Sequence, residues 1–177
     1  MIKNAKRGFT LIELLIVIGI LAILATAAVL VLNPAQLLAQ ARDSQRISDL
    51  GSVKSAIGLY LATASSPTVS VGPRSTANAT CSFGTCTVAT SSVSGTGWVA
   101  IDLTGTTGGS PLSVLPLDPT NNATYQYSYK GDATNLTFEL NATLESTKYA
   151  TTLDLDGTDG GNSASYYEVG TDPGLDL

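Results

Sequence analysis

Side chains able to do chemistry are few in this chain and far apart. Its 177 residues contain no histidine, which removes His-based triads, imidazole metal ligands and imidazole pH switches. Two cysteines, Cys81 and Cys86, enclose Ser-Phe-Gly-Thr, and two thiolates alone leave a metal's coordination incomplete. No serine or cysteine has a partner base at a motif spacing, and no carboxylates stand paired as glycoside chemistry needs them. The expectation is that this protein is not an enzyme. The acids do cluster once: Asp154, Asp156 and Asp159 fall in the Gly-rich run Asp-Leu-Asp-Gly-Thr-Asp-Gly-Gly-Asn, with Glu168 and Asp172 beyond it. Such a loop can wrap calcium, which takes about six to eight oxygen ligands, or it is simply a solvated acidic turn. An EF-hand is excluded, because counting from Asp154 the twelfth position is Ser165 rather than glutamate. One more acid stands out by isolation: Glu13 is the only charge between Arg7 and Arg42.

Only 13% of residues are charged, against about 25% in ordinary globular domains. The net charge of −5 and isoelectric point near 4.4 speak against nucleic acid as a partner, which requires clustered Lys and Arg.

The elements that hold these groups begin with a basic stretch. Residues 1–8 carry Lys3, Lys6 and Arg7 and no acid. Phe9 to Leu32 follows as a 24-residue apolar run, or about 36 Å of helix, enough for a hydrocarbon core about 30 Å thick. Basic residues ahead of the run place the N-terminus in the cytoplasm. Leu14 to Leu32 holds 13 Leu, Ile and Val residues, whose summed insertion energy of about −6 kcal/mol outweighs the roughly 3 kcal/mol cost of one acid. The segment should therefore insert despite Glu13. Two plain readings are open: a signal-anchor helix, or a secretory signal peptide cut near Ala25-Thr26-Ala27.

Neither explains the octet Lys6-Arg7-Gly8-Phe9-Thr10-Leu11-Ile12-Glu13. It resembles the class III signal of bacterial type IV prepilins and type II secretion pseudopilins. That resemblance implies cleavage after Gly8 by a prepilin peptidase and N-methylation of the new terminus at Phe9. It places Glu13 fifth in the mature chain, where the family pairs it with the terminal amine of a neighbouring subunit during assembly; the bland alternative is a glutamate snorkelling to the membrane interface. It further implies a homo-oligomeric helical filament and inner-membrane assembly machinery as a partner. The precursor would lie in the inner membrane with its N-terminus cytoplasmic, and the product would be an extracellular pilus or a periplasmic pseudopilus. Calcium in a C-terminal acidic loop is a property of the major pseudopilins, although the spacing at Asp154, Asp156 and Asp159 does not match residue for residue. Outside the cytoplasm Cys81 and Cys86 should form a disulfide.

The expected fold is α+β, a long N-terminal helix packed on a C-terminal antiparallel sheet. The organisation reads as a leader at 1–8, a membrane or filament-core helix at 9–32, an amphipathic helix half at 33–62, and a β head with an acidic tail at 63–177. Ile47, Leu50, Val53, Ile57 and Leu61 form a helical stripe for the head, with Arg42, Asp43, Arg46, Asp49 and Lys54 as a polar surface around it. Asn33-Pro34 predicts a kink or a restart of the helix, since proline lacks the donor for the Leu30 carbonyl. Ser65–Asn78 reads as a loop. Trp98–Leu103 is a strand candidate, the runs at Tyr125–Lys130 and Leu136–Leu140 read as a hairpin, and Thr147–Leu153 is a further strand candidate.

Overall fold

The computed structural model describes residues 8–177; Lys3, Lys6 and Arg7 of the expected leader lie outside the described residues. The chain forms two compact units, Met1–Leu38 and Ala39–Leu177.

Helix α1 runs from Leu11 to Leu32, about 33 Å at the usual rise. Thr10 opens it with a capping box to Glu13. Apolar residues occur all round it, so it has no face to bury, and its large side chains stand in the open, with Leu11 82% and Val31 84% exposed. Asn33 ends it in the left-handed region, φ 39° and ψ 72°, with its N–H on the Val29 carbonyl. Pro34 then opens helix α2, Pro34–Thr63, where its missing N–H costs nothing. The expected interruption is thus a restart.

From Ala39 onward α2 lies in the second unit, where it buries Leu50, Val53, Ala56, Ile57 and Tyr60. These join Trp98, Tyr127, Tyr129, Phe138 and Leu140 in one core; each large side chain removed from water contributes about 1.5–3 kcal/mol. The strands are β1 (Arg74–Ser75), β2 (Thr80–Cys81), β3 (Gly84–Thr85), β4 (Thr87–Val88), β5 (Tyr127–Asp132), β6 (Thr137–Ala142) and β7 (Tyr167–Gly170). A five-stranded sheet has the order β4-β1-β5-β6-β7, and β2 and β3 pair separately. The architecture is α+β as expected. The β5–β6 hairpin is the predicted one, with Tyr129 opposite Leu140 and Tyr127 opposite Ala142, so aromatic and aliphatic residues share the core face.

Several details differ. The sheet is mixed, because β1 pairs with β4 in parallel. The expected loop at Ser65–Asn78 contains β1, a two-residue strand too short to show a period. Trp98–Leu103 is not a strand: Trp98, Val99, Ala100, Ile101 and Leu103 are all buried. The segment is tied to loops by Trp98 N–H on the Thr90 carbonyl and Leu103 N–H on the Val93 carbonyl, and Leu103–Gly105 forms a 3-10 turn. Thr147–Leu153 is a π-helical turn over Lys148–Thr152, closed by Leu153 N–H on the Lys148 carbonyl. Helix α3, Leu155–Thr158, lies within the expected acidic loop. The polar surface drawn around α2 also needs correction: Lys54 is exposed, but Asp43 and Arg46 are 0% exposed. Helical spacing alone does not show that acids from elsewhere in the chain meet Arg46.

Candidate functional site

The N-terminal site is built on the first turn of α1. Gly8, Phe9 and Thr10 precede the helix in irregular backbone and are exposed, Phe9 by 87%. The Gly8–Phe9 peptide bond is therefore free of secondary structure, the form a peptidase needs. A Cβ at Gly8 would meet nothing within 4 Å, so nothing in the described residues demands glycine there. Thr10 Oγ1 accepts the Glu13 N–H at 3.3 Å. Glu13 Oε2 in turn accepts the Thr10 N–H at 2.8 Å and the Thr10 hydroxyl at 2.7 Å. This reciprocal cap satisfies donors at the helix start and puts a negative charge at the positive end of the helix dipole. Glu13 Oε1 accepts no hydrogen bond among the described residues, which leaves it available to a cation from outside the chain. Thr10 is a site residue the sequence reading missed; the T-x-x-E spacing of Thr10 and Glu13 is the signal that identifies it.

A basic leader, a Gly-Phe junction in open backbone, an acid on the first turn and an unburied apolar helix define a prepilin-type N-terminus. Residues 3–29 match the family model described as the prokaryotic N-terminal methylation motif; the chain carries this type IV prepilin-like signal, which implies a prepilin peptidase and assembly into a multi-subunit filament. No curated protein and no solved structure matches the chain. Helix α1 is long and apolar enough to cross a membrane, which suits a membrane-anchored precursor.

In the head, Cys81 and Cys86 form a disulfide with Cα atoms 5.9 Å apart, closing the β2–β3 hairpin. Asp159 accepts N–H bonds from Gly161 at 2.9 Å and Glu168 at 2.6 Å. Asp154 sits in the left-handed region at φ 50°, and Asp156 is 7% exposed, burial raising its carboxyl above the ordinary range. Among the described residues no three acidic side chains gather to hold a metal ion.

The strongest electrostatic feature is elsewhere. Arg46 Nε and Nη2 donate to the two carboxylate oxygens of Asp118 at 2.6 and 3.0 Å. Its Nη1 reaches Asp43 and Glu145, each at 2.8 Å, and its guanidinium lies 4.9 Å from the Tyr125 ring centroid. Arg42 forks onto Glu145 at 2.6 and 2.9 Å and holds that carboxyl below its usual value. Two loops, at Asp118 and Glu145, are thereby tied to α2. No spacing in the sequence links residues 72 and 99 positions apart.

Proposed function

We propose that this chain is the structural subunit of a type IV pilus-like filament, cut after Gly8, N-methylated on Phe9 and assembled through α1. The observation that carries the reading is the junction of the methylation motif at residues 3–29 with a 22-residue helix whose apolar span has no buried residue among the described residues. A helix of that kind needs lipid first and other subunits later. Removing the leader takes away Lys3, Lys6 and Arg7 and leaves the mature chain more acidic. In the filament Glu13 pairs with the methylated amine of a neighbouring Phe9 and so sets the axial stagger, a register role that a buried charge can play. The head supplies an exposed surface, with no catalytic step assigned to it.

Mass spectrometry of sheared extracellular material tests the reading. The expected N-terminus is methyl-Phe9; a chain beginning at Ala28, or an unprocessed Met1 in assembled material, overturns it. The same fractionation separates a surface fibre from a periplasmic pseudopilus. In Glu13→Ala the membrane fraction should hold normal amounts of protein while filament yield falls at least about tenfold, the scale of losing one interaction worth about 1.4 kcal/mol; an unchanged yield removes the pairing argument.

A further inference from the structure

A polar groove lies on the face of the sheet turned away from the hydrophobic core. Ser128, Asn141 and Glu168 stand in one cross-strand row on β5, β6 and β7. Each is 2% exposed, as is Glu139 on the same face. Two covers bury them. The β2–β3 hairpin places Ser82 Oγ 2.8 Å from Ser128 Oγ and 3.2 Å from Asn141 Nδ2. The C-terminal segment brings the Ser163 N–H to Glu168 Oε2 at 3.0 Å and the Leu177 N–H to Glu139 Oε2 at 3.1 Å. Between the covers remain a cavity of about 320 Å³ and one of about 130 Å³, which share Ser82 and Tyr166 as walls.

The chemistry of these walls selects a ligand class. Among the described residues no lysine or arginine lines either cavity, while two carboxyl groups, Glu139 and Glu168, line the larger one, which disfavours an anion. Lys130, opposite Glu139 in the ladder, holds its Nζ 5.8 Å from the Phe83 ring centroid. The smaller cavity is walled by neutral hydroxyls and an amide, Thr80, Thr124, Gln126 and Ser128 among them, which disfavours an apolar guest. In the larger one Asn141 Oδ1 is buried without a partner. Burial raises both carboxyls, Glu168 to about 7 with the Glu139 charge adding to it, and a carboxyl that holds its proton can donate as well as accept. Two half-buried rings, Phe83 and Tyr166, complete the walls. A polyhydroxyl ring with one C–H face meets all of these conditions, because its hydroxyls both donate and accept and its carbon face packs on an aromatic ring.

We propose that this groove binds a neutral sugar unit of a glycan, its C–H face against Tyr166 and its hydroxyls on Glu139, Glu168 and Asn141. The site lies wholly within the head and does not depend on the filament reading. The test is saturation-transfer NMR on the full-length protein in a detergent without a sugar headgroup, at pH 6, with chitotriose, maltotriose and lactose as probes. Transfer to at least one of them is expected. Tyr166→Ala should weaken that affinity about tenfold through loss of the buried ring, while Tyr166→Phe should retain it. The environment of Trp98, in the core on the other side of the sheet, reports by near-UV circular dichroism that each variant is folded; Phe83→Ala serves if Tyr166→Ala is not. No transfer to any of the three sugars, or equal affinity in a folded variant lacking the ring, overturns the proposal. Thermal stabilisation by calcium chloride with no sugar binding also overturns it, and makes the two carboxylates a cation site.

Discussion

Replacing Arg46 tests how the head is held on α2. Arg46 makes five hydrogen bonds, to Asp118, Asp43, Glu145 and Thr120, and its side chain and those of Asp43 and Asp118 are all 0% exposed. With Arg42, two guanidinium groups face three carboxylates. Arg46→Ala removes the cation that neutralises Asp43 and Asp118 but leaves both acids buried, a change that costs about 3–5 kcal/mol. The loss is moderated because Asp43 still accepts the Ser146 N–H at 2.8 Å and Asp118 the Thr120 N–H at 2.8 Å. At a urea dependence of about 1–3 kcal/mol per molar, the unfolding midpoint should fall by roughly 2 M. Trp98, the only tryptophan and 0% exposed, reports the transition by fluorescence. Arg46→Lys should lie between wild type and alanine, because an ammonium cannot make the bidentate fork on Asp118. Arg46→Met combined with Asp43→Asn and Asp118→Asn should recover most of the loss, since a neutral cluster carries no uncompensated charge. A midpoint shift below about 0.5 M for Arg46→Ala, less than about 1 kcal/mol, would refute the claim that this cluster holds the helix to the head.

Head stability should also depend on pH through the Glu139–Glu168 pair. Both folded values are raised, Glu168 to about 7, so their contribution is full below the unfolded carboxyl range near 4.5 and is lost as pH rises through about 7. The melting temperature should therefore fall between pH 5 and 8, and Glu168→Gln should flatten that slope; a wild-type profile with no fall is the contrary result. Below about pH 4.5 the trend reverses as Glu145, depressed by Arg42, takes up its proton. Reducing the Cys81–Cys86 bond frees a loop of only about six residues, so chain entropy assigns it about 2 kcal/mol. The Cys81→Ser, Cys86→Ser variant should stay folded with a modestly lower urea midpoint, whereas complete unfolding would show that the hairpin carries far more. Gly97→Ala should be severe, because the new Cβ would run into the Ser92 carbonyl and lie 2.8 Å from Leu115 Cδ1. A cost above about 2 kcal/mol in the same titration is expected, and a neutral variant would contradict the close approach.

Local rules made part of this molecule legible without coordinates. The apolar run after a basic leader predicted α1 because its period-free hydrophobicity admits one solution in lipid. Leu50, Val53 and Ile57 predicted the buried stripe of α2, Asn33-Pro34 its restart, and the alternating Tyr127, Tyr129, Phe138 and Leu140 the β5–β6 hairpin. Each signal lies within a few residues, where period and backbone geometry act.

What the chain's order does not show is which distant segments meet. Arg46 resembles any surface arginine of an amphipathic helix until Asp118 and Glu145 arrive from 72 and 99 residues away. Trp98–Leu103 has strand composition, yet burial on consecutive residues and bonds to loops leave it without a ladder partner. Glu139 and Glu168 occupy the side of the sheet where alternation puts solvent, and only the β2–β3 hairpin and the C-terminal segment make that side an interior. Asp159 accepts the N–H groups of Gly161 and Glu168, the second from nine residues on, a contact the Gly-rich run does not announce. The N-terminal signal was decided by residue type over one short stretch; the charge cluster and the groove were decided by packing, because desolvation depends on what covers a group and not on what precedes it in the chain.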